Sequence, residues 1–190
     1  MALDGEGFDG AERLKKGGPV RAFVLAGGAS TRFGSDKARH EINGVAMVVR
    51  VARAFESAGL QVTVVARDNR LSDYGFPVLV ESESGPLHPL AGVVAGLESL
   101  QEGESALFAP CDVPFFSAIE VTSMAESAAP AIAVSMDSKK THPLIAHYNK
   151  SQLPFARGIL RAEGPVRRLA SGATLVQLSE ASLSNLNYRI

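Results

Sequence analysis

A short segment rich in glycine and charge, residues 24–38 (VLAGGASTRFGSDKA), has the residue types needed to hold a polyphosphate. An apolar run leads directly into Gly27 and Gly28, and Arg32 and Lys37 follow within one loop. Adjacent glycines let backbone N–H groups approach a ligand without a Cβ in the way, and successive N–H groups form a concavity that binds anions. Arginine can bind phosphate oxygens through two N–H groups, and lysine can act on them as a point charge. The segment therefore predicts a phosphate-binding loop, with an ordinary solvated turn as the alternative.

Two well-known phosphate loops do not fit this segment. A Walker A loop needs lysine immediately after its second glycine, but here two residues separate Gly34 from Lys37. A dinucleotide-binding fingerprint needs the spacing G-x-G-x-x-G, but Gly27 and Gly28 are adjacent. The loop therefore belongs to a different type of phosphate site.

A second polar site is predicted in LFAPCDVPFF (residues 107–116), where an apolar run ends in Cys111 and Asp112. A buried strand delivers Asp112 to the carboxyl edge of a sheet, and Pro114 prevents the chain from entering a helix at once. A carboxylate held there is well placed for Mg²⁺, which takes a few carboxylates together with phosphate oxygens and water. The alternative for Asp112 is a turn aspartate that accepts hydrogen bonds from nearby backbone N–H groups. Cys111 is interpreted as a small packed residue rather than a nucleophile.

Alternating strands and helices are expected to position these two sites. Short apolar runs predict strands over residues 22–26, 61–66, 77–81, 106–110, 131–136, 143–148 and 173–178. Apolar side chains at helical spacing predict helices over residues 46–57, 90–101, 117–127 and 150–161. Such alternation is typical of an α/β fold, a three-layer sandwich in which a mostly parallel sheet has helices on both faces. Ligands of these folds bind outside the carboxyl ends of the strands, near a reversal in strand order.

Composition excludes several classes of function. The 190 residues are 46% hydrophobic and 21% charged, as in one folded domain. The net charge of -1 gives no general attraction to nucleic acid or to an anionic membrane. The single cysteine excludes an internal disulfide and fits a reducing cytoplasm. No apolar run reaches the roughly 20 residues that span a bilayer. We therefore expect a cytoplasmic monomer or small homo-oligomer, with a flexible polar segment at residues 1–18 and a single domain at residues 19–190.

The first motif also resembles a known family. From Leu25 to Lys37 the chain reads L-A-G-G-x-S-x-R-x-G-x-D-K without a gap, similar to the signature of the molybdenum cofactor guanylyltransferases. The resemblance implies the glycosyltransferase-A-like (Rossmann-like) fold of nucleotidyltransferases, and the second glycine favours a guanylyltransferase over the related cytidylyltransferases. It also implies nucleotide contacts at Leu25, Ala26, Gly27 and Gly28, with Arg32 and Lys37 acting on the phosphates as catalytic cations.

Two acidic positions extend the resemblance. The segment around Asp112 is similar to the C-D-x-P motif that supplies the magnesium ligand in this family, which implies that Asp112 is a metal ligand, a nucleotide contact and a catalytic residue. After the third predicted strand the family usually has an aspartate, and Glu81 stands in its place as an implied nucleotide contact. After the second strand the family usually has an asparagine, but this chain has Ala66, with Asn69 as a nearby substitute.

The segment HPLAG (residues 88–92) is similar to the G-P-L-A-G segment of the guanine pocket, with His88 in place of the first glycine. It begins a predicted helix, and N–H groups exposed at a helix start can bind an anion or the edge of a base. The resemblance assigns Leu90, Ala91 and Gly92 to nucleotide binding. His88 is interpreted as a solvent-facing residue at the helix start and not as a catalytic base.

Later segments also resemble the family. THPLIAHY (residues 141–148) is similar to the D-H-P-x-I-A segment that faces the pterin, so His142 is either a pterin contact or merely exposed. SNLNYRI (residues 184–190) is similar to an N-x-N-T-P ending but stops after its second asparagine. A basic stretch, which fits either an anionic pterin phosphate or a charged helix surface, consists of Arg157, Arg161, Arg167 and Arg168.

The resemblance as a whole implies transfer of GMP from GTP to molybdopterin, or to its molybdenum-loaded form, with Mg²⁺ as cofactor and release of pyrophosphate. GTP and molybdopterin would be the substrates, and transient contact with other molybdenum cofactor proteins is the protein interaction that it suggests. Two alternatives stay open. One is a cytidylyl- or uridylyltransferase that acts on another phosphorylated acceptor, and the other is a non-catalytic nucleotide-binding adaptor.

Overall fold

A central β-sheet with helices on both faces is the framework of this chain. The computed structural model describes residues 18–27, 37–81 and 88–186. The strands in these ranges are β1 (Val20–Leu25), β2 (Glu41–Ile42), β3 (Val45–Ala46), β4 (Gln61–Ala66), β5 (Val78–Val80), β6 (Ser105–Pro110), β7 (Ala131–Ser135), β8 (Thr141–Asn149) and β9 (Thr174–Leu178). The α-helices are α1 (Met47–Ser57), α2 (Leu90–Ser99), α3 (Ala118–Ala125), α4 (Leu153–Arg161) and α5 (Glu180–Leu183).

The strand order creates a crevice at the carboxyl edge of the sheet. Seven strands pair in the order β5-β4-β1-β6-β8-β7-β9, and β5, β4, β1 and β6 are parallel. From β1 the chain proceeds outward to β4 and β5, and it then returns to place β6 on the other side of β1. The strand order therefore reverses between β1 and β6, and the residues that follow these two strands border one crevice.

The predicted α/β class, a three-layer sandwich with a mostly parallel sheet, is confirmed. Helices α1 and α3 pack on one face of the sheet, where Phe55 of α1 meets the ring of Phe116 edge-on at a centroid distance of 6.0 Å. Helices α2 and α4 pack on the other face. There the rings of Phe23 and Phe108 stack across β1 and β6 with centroids 5.3 Å apart. This packing makes the two strands that border the crevice a rigid support.

A small hairpin that the sequence analysis did not predict precedes α1. Strands β2 and β3 pair antiparallel around Asn43 and Gly44, whose φ angles are +52° and +72°. Two consecutive residues with positive φ form the tight turn that matches the natural twist of a hairpin, and Asn-Gly is the residue pair that best adopts it. The hairpin leads the chain from Lys37 to the start of α1.

Strand β8 is antiparallel to both β6 and β7. Only five residues, 136–140, connect β7 to β8, which is too short for the crossover that a parallel pair needs. The Ser135 N–H closes this connection by donating to the Lys140 carbonyl at 2.9 Å. The amino end of β8 therefore lies at the same edge of the sheet as the crevice.

The remaining predicted elements are present with bounds shifted by a few residues. The predicted helix over residues 150–161, for example, is a 3₁₀ turn (Lys150–Gln152) that continues into α4. Residues 1–17 of the predicted N-terminal segment lie outside the described residues. Among the helices in the described ranges, none combines the length and the apolar character that crossing a membrane requires.

Gly96 of α2 is expected to tolerate no side chain. A Cβ at this position would lie 2.6 Å from Cε1 of Phe108 and 3.3 Å from Cδ2 of Phe23. In Gly96→Ala, overpacking costs about 1–3 kcal/mol, which outweighs a gain in helix propensity of up to about 1 kcal/mol. Gly158 of α4 has open space around its Cβ position, so Gly158→Ala should raise the free energy of unfolding by about 0.5–1 kcal/mol. The urea midpoints of the two variants should move in opposite directions, and a rise in both would contradict this packing.

Candidate active site

Three side chains from distant parts of the chain meet in the crevice between β1 and β6. The Lys37 ammonium lies 2.7 Å from Oδ2 of Asp112 and donates a further hydrogen bond to Oδ1 of Asn185 at 3.1 Å. Nδ2 of Asn185 donates to the same Oδ2 of Asp112 at 2.7 Å. The side chains of the ion pair are only 14% and 19% exposed, so their attraction is screened less by water than that of an exposed pair. We call Lys37, Asp112 and Asn185 the crevice triad.

Backbone hydrogen bonds fix two members of the triad. The Cys111 N–H donates to the Leu25 carbonyl at 3.0 Å, which holds the residue before Asp112 beside the end of β1. The Leu186 N–H donates to the carbonyl of Asp112 at 3.0 Å, which holds the residue after Asn185 beside Asp112. The two side chains therefore meet because their backbones are joined.

The turn that carries Lys37 is anchored from two sides. It is a 3₁₀ turn (Lys37–Arg39), and the side chain of Ala38 at its centre is buried in the core. The backbone carbonyl of His40, the next residue, accepts a hydrogen bond from the Met47 N–H at 2.8 Å. This bond ties the turn to the first residue of α1. Lys37 therefore enters the crevice from a fixed backbone.

Oδ1 of Asp112 is the atom of the triad that best fits a cation. It is buried and has no hydrogen-bond partner among the described residues, whereas Oδ2 accepts from Lys37 and Asn185. A buried carboxylate oxygen without a partner is unfavourable, and carboxylate oxygen is a ligand type that Mg²⁺ prefers. Within residues 18–27, 37–81 and 88–186, no three His, Cys, Asp or Glu side chains form a group that could hold a metal ion. A cation at Asp112 would therefore complete its coordination with phosphate oxygens and water.

Leu25 ends β1 at the crevice, and Ala26 follows it. The Ala26 N–H donates to the carbonyl of Val65 at 2.8 Å, so β1 and β4 stay paired up to this edge. The other predicted phosphate contacts of the first motif, Gly28 and Arg32, lie outside the described residues. Their roles stay predictions from the motif.

Glu81, the residue that follows β5, lies against the end of β1. A Cβ on Gly27 would be 1.5 Å from Oε1 of Glu81, and a Cβ on Gly92 would be 3.6 Å from the same atom. A side chain at position 27 would therefore displace the Glu81 carboxylate from its place beside Gly27. Arg67 lies nearby and donates from Nε to the Gly27 carbonyl at 3.2 Å. Burial raises the pKa of Glu81, and the positive charge of Arg67 partly offsets this rise.

The Glu81→Gln variant is expected to be more stable than the parent protein at pH 7 and to bind nucleotide less well. Because the folded-state pKa of Glu81 is raised, the folded protein loses stability as the pH rises from the unfolded value of about 4.5 through the folded value, and the loss persists at pH 7. Glutamine carries no charge and removes this loss, so the gain in stability should disappear at about pH 3.5, below both pKa values.

Urea midpoints of the parent and Glu81→Gln at the two pH values test this expectation. Glu56→Gln, which changes an exposed glutamate of α1, serves as the control for the substitution itself. A stability difference that is the same at both pH values would show that burial of the Glu81 charge is not its cause. Weaker protection of Glu81→Gln from heat by nucleotide would support the predicted nucleotide contact.

The start of α2 corrects one prediction. The Leu90 N–H donates to Nδ1 of His88 at 3.1 Å, and the Ala91 N–H donates to the His88 carbonyl at 2.9 Å. Because Nδ1 accepts, the neutral ring has its proton on Nε2, which donates to the Gly164 carbonyl at 2.9 Å. The expectation of exposed N–H groups is therefore wrong at Leu90 and Ala91, and His88 is half-buried between α2 and the end of α4 rather than solvent-facing. Leu90 is fully buried, and a Cβ on Gly92 would lie 3.6 Å from Oε1 of Glu81.

His142 and Arg157, two residues that the sequence analysis linked to the pterin substrate, have different surroundings. His142 lies near the start of β8, and its Nε2 is buried without a hydrogen-bond partner among the described residues. Burial and the charge of Lys140 lower the pKa of His142, and Glu180 opposes this shift. Arg157 instead forms an exposed ion pair with Glu98 at 2.8 Å, which joins α4 to α2. Arg157 therefore belongs to the helix surface.

Sequence reasoning missed two residues that the structure places at the site. Asn185 is the first asparagine of the segment that resembles an N-x-N-T-P ending, and that resemblance was the available signal. Arg67 is the first residue after β4, where Ala66 is buried and Asn69 is exposed. Arg67, rather than Asn69, reaches the end of β1. Its position directly after a strand was the signal that could have identified it.

Comparisons with known proteins agree with this fold and with the family that the first motif resembles. Residues 22–177 match the profile of the MobA-like NTP transferase domain. The molybdenum cofactor guanylyltransferase of Acidiphilium cryptum is 34% identical to this chain over 156 residues, which are 80% of this chain and 78% of that protein. The molybdenum cofactor guanylyltransferase of Shewanella loihica is 31% identical over 151 residues, which are 75% of this chain and 74% of that protein.

A solved structure has a similar fold. Molybdopterin-guanine dinucleotide biosynthesis protein A from Archaeoglobus fulgidus superimposes with a TM-score of 0.70 and covers 88% of this chain and 92% of its own. Its sequence identity to this chain is 19%, so this likeness concerns the fold alone.

Proposed function

We propose that this chain, which belongs to the MobA-like NTP transferase family and is a nucleotidyltransferase, transfers GMP from GTP to molybdopterin or to its molybdenum-loaded form, with Mg²⁺ and with release of pyrophosphate. The observation that carries the proposal is the crevice triad. In the triad an ammonium and a carboxylate lie 2.7 Å apart at the reversal in strand order, where a cation and a metal ligand can act on the same phosphate. The names of the relatives in Acidiphilium cryptum and Shewanella loihica support the choice of acceptor and of GTP.

The proposed reaction needs little covalent help from the protein. The terminal phosphate of molybdopterin is the nucleophile, and one of its oxygens forms a bond to the α-phosphorus of GTP. The bond from that phosphorus to the bridging oxygen of pyrophosphate breaks, and this oxygen keeps the electron pair. Catalysis therefore consists of positioning the two anions in line and neutralising their charge.

The residues of the crevice triad divide this task. The Lys37 ammonium, which binds Asp112 and Asn185 in the crevice, would act on a phosphate there through its positive charge. Lys37 and Arg32 would offset the charge that builds on the departing pyrophosphate. Oδ1 of Asp112 would hold the metal, and Mg²⁺, when bound, neutralises phosphate charge and polarises the phosphoryl oxygen. Asn185 would fix the distance between the ammonium and the carboxylate.

We assign nucleotide binding to the loop after β1 and to the start of α2. The assignment includes Glu81, whose carboxylate lies beside Gly27 of the first segment and near Gly92 of the second. The other assigned residues are Leu25, Ala26, Gly27, Gly28, Leu90, Ala91 and Gly92. Since the N–H groups of Leu90 and Ala91 bind His88, we expect a direct backbone contact from this turn at Gly92.

The proposal also covers the domain organisation, the location and the partners of the protein. We propose that residues 19–190 act as one domain in the cytoplasm, as a monomer or a small homo-oligomer. The substrates require neither nucleic acid nor a membrane, and the net charge of -1 favours neither. Transient contact with other molybdenum cofactor proteins would deliver molybdopterin or receive the product.

Protection from heat by nucleotides tests the proposed base preference. GTP, CTP and UTP are added separately with Mg²⁺ at one concentration, about 100 times the Kd for GTP, where binding of GTP contributes about 2.7 kcal/mol to the free energy of unfolding. For a domain of this size the expected rise in Tm with GTP is about 5–10 °C. A larger rise with CTP or UTP would favour the alternative transferases, and no rise with any nucleotide would refute nucleotide binding.

A further inference from the structure

Two segments far apart in sequence supply the carboxylate and the amide of the crevice triad. Residues 111–117 connect β6 to α3 and contain Asp112, and residues 179–186 follow β9 and contain Asn185. They touch through the Asn185 amide and through the Leu186 N–H, which both donate to Asp112. Neither segment belongs to a strand, so contacts outside the sheet must hold the two segments together.

One carboxylate, that of Glu120 in α3, is hydrogen-bonded to both segments. Its Oε2 accepts from the N–H of Ser117 at 3.0 Å and from the hydroxyl of Ser117 at 2.8 Å. Its Oε1 accepts from the hydroxyl of Ser179 at 3.1 Å. Ser179 is the N-cap of α5, where its Oγ accepts from the Ser182 N–H at 3.2 Å. Glu120 therefore joins the residue that caps α3 to the residue that caps α5.

We propose that Glu120 is a positioning residue of the transfer reaction, which keeps Asp112 and Asn185 in contact by joining the two segments. Ser117 lies five residues after Asp112, and Ser179 lies six residues before Asn185. Glu120 therefore acts on the two triad residues through the backbone that connects them to these serines. The effect on turnover rests on the proposed function. The effect on the contact between the segments rests on the hydrogen bonds alone.

The charge of Glu120 is what allows it to join two segments. Burial by itself raises the pKa of Glu120, but hydrogen bonds from Ser182, Ser117 and Ser179 outweigh this effect and leave the pKa below its usual value. At neutral pH the side chain is therefore a carboxylate with two acceptor oxygens. Glutamine has nearly the same shape but a single acceptor oxygen, and its –NH₂ group cannot accept from a serine. In Glu120→Gln the hydroxyl of Ser179 can at best turn to accept from the –NH₂ group, so the charge-assisted hydrogen bonds of the carboxylate become neutral ones, which are about half as strong.

Hydrogen exchange of the Leu186 amide in the full-length protein tests the contact between the segments. In Glu120→Gln this amide should exchange about tenfold faster than in the parent, because its bond to the Asp112 carbonyl opens more often. The Ala26 amide, which is bonded within the sheet edge, should change less than about twofold. Glu126→Gln, a change at an exposed residue that ends α3, is the matched control and should alter neither amide.

Two results of this measurement would overturn the proposal. An unchanged rate at Leu186 would mean that Glu120 does not hold the segments, and an equal acceleration at Leu186 and Ala26 would mean a general loss of stability. If Glu120→Gln does not fold, Ser179→Asp replaces it. Aspartate still caps α5 by accepting from the Ser182 N–H, but it cannot donate to Oε1 of Glu120, so this variant should give the same local acceleration while the bonds to Ser117 stay in place.

A double-mutant cycle with Asn185→Ala tests the effect on turnover. Glu120→Gln should lower kcat about tenfold and leave KM for GTP within about twofold, but it should change kcat less than about twofold when Asn185 is already alanine. Equal effects in the two backgrounds would overturn the positioning role. If the parent protein transfers no nucleotide at all, the proposed function fails, and the exchange measurement still decides whether Glu120 holds the segments.

Discussion

The Asp112→Asn variant is expected to keep its fold and to lose about 10³-fold in kcat/KM for release of pyrophosphate from GTP and molybdopterin. Asparagine has nearly the same shape, but it replaces the carboxylate with a neutral amide that has a single acceptor oxygen. The cation proposed at Oδ1 loses its charged ligand, and Lys37 loses the ion pair that holds it at 2.7 Å. Loss of one preorganised electrostatic group typically costs about 10²–10³ in turnover, and here two interactions are lost together.

Steady-state kinetics of the parent, Asp112→Asn and Asp73→Asn measure this effect. Asp73 is largely exposed and pairs with Arg39 at 3.4 Å, so Asp73→Asn removes the same charge from the surface and should change kcat/KM less than about twofold. Heat-unfolding midpoints of all three proteins report whether the fold is retained. A folded Asp112→Asn variant with parental activity would refute the role of Asp112 in the reaction.

The second large effect is expected for Lys37→Met, which should lower kcat about 10²-fold. Methionine keeps an unbranched apolar stem but carries no charge, so nothing at this position offsets the negative charge that builds on the departing pyrophosphate. This charge is greatest in the transition state, and kcat should therefore fall more than KM for GTP rises. Asn185 still donates to Oδ2 of Asp112 in the variant, so the carboxylate keeps one partner.

Lys150→Met is the matched control for Lys37→Met. Lys150 follows β8 at the opposite edge of the sheet, where its ammonium donates to the Leu100 carbonyl. Its substitution removes the same charge and also a hydrogen bond, but it should leave kcat and KM within about twofold of the parent. A rise in KM for GTP without a fall in kcat in Lys37→Met would assign Lys37 to nucleotide binding alone and contradict its proposed catalytic role.

Short-range patterns account for the part of the site that could be predicted from the sequence. An apolar run that ends in Gly27 and Gly28 identifies the end of a buried strand, and a similar run identifies Asp112 as the residue after another strand. Parallel strands present their carboxyl ends at one edge of a sheet, so the meeting of Lys37 and Asp112 follows from the fold class. Local patterns were sufficient for Asp112, which lies just beyond the end of β6, whereas Lys37 is held by the burial of Ala38 and by the hydrogen bond between Met47 and His40.

Contacts between distant segments account for the part that the sequence could not provide. Asn185 binds a carboxylate 73 positions earlier in the chain, and His88 binds the carbonyl of a residue 76 positions later. No local pattern determines which partner such a side chain reaches, because packing of the whole domain sets the distance. For the same reason the N–H groups at the start of α2 looked available in the sequence, although the ring and the carbonyl of His88 bind them.

The fold shows the same division between local and distant determinants. The turn Asn43-Gly44 is a strong local signal for the β2-β3 hairpin, and the hairpin could have been predicted from it. The direction of β8 depends on the short connection from β7, which becomes clear once the ends of both strands are known. The two-sided packing of the sheet was predicted because apolar spacing in the helices and strands is itself a local property.

Identification of the product tests the central claim most directly. Full-length protein is incubated with molybdopterin, Mg²⁺ and either GTP, CTP or UTP, and the products are analysed by mass spectrometry together with the amount of pyrophosphate released. The account predicts a product with the mass of molybdopterin plus GMP less one water, and an equal amount of pyrophosphate, when GTP and molybdopterin are both present. A product formed from CTP or UTP in preference to GTP, or the absence of any nucleotide–pterin product, would contradict it.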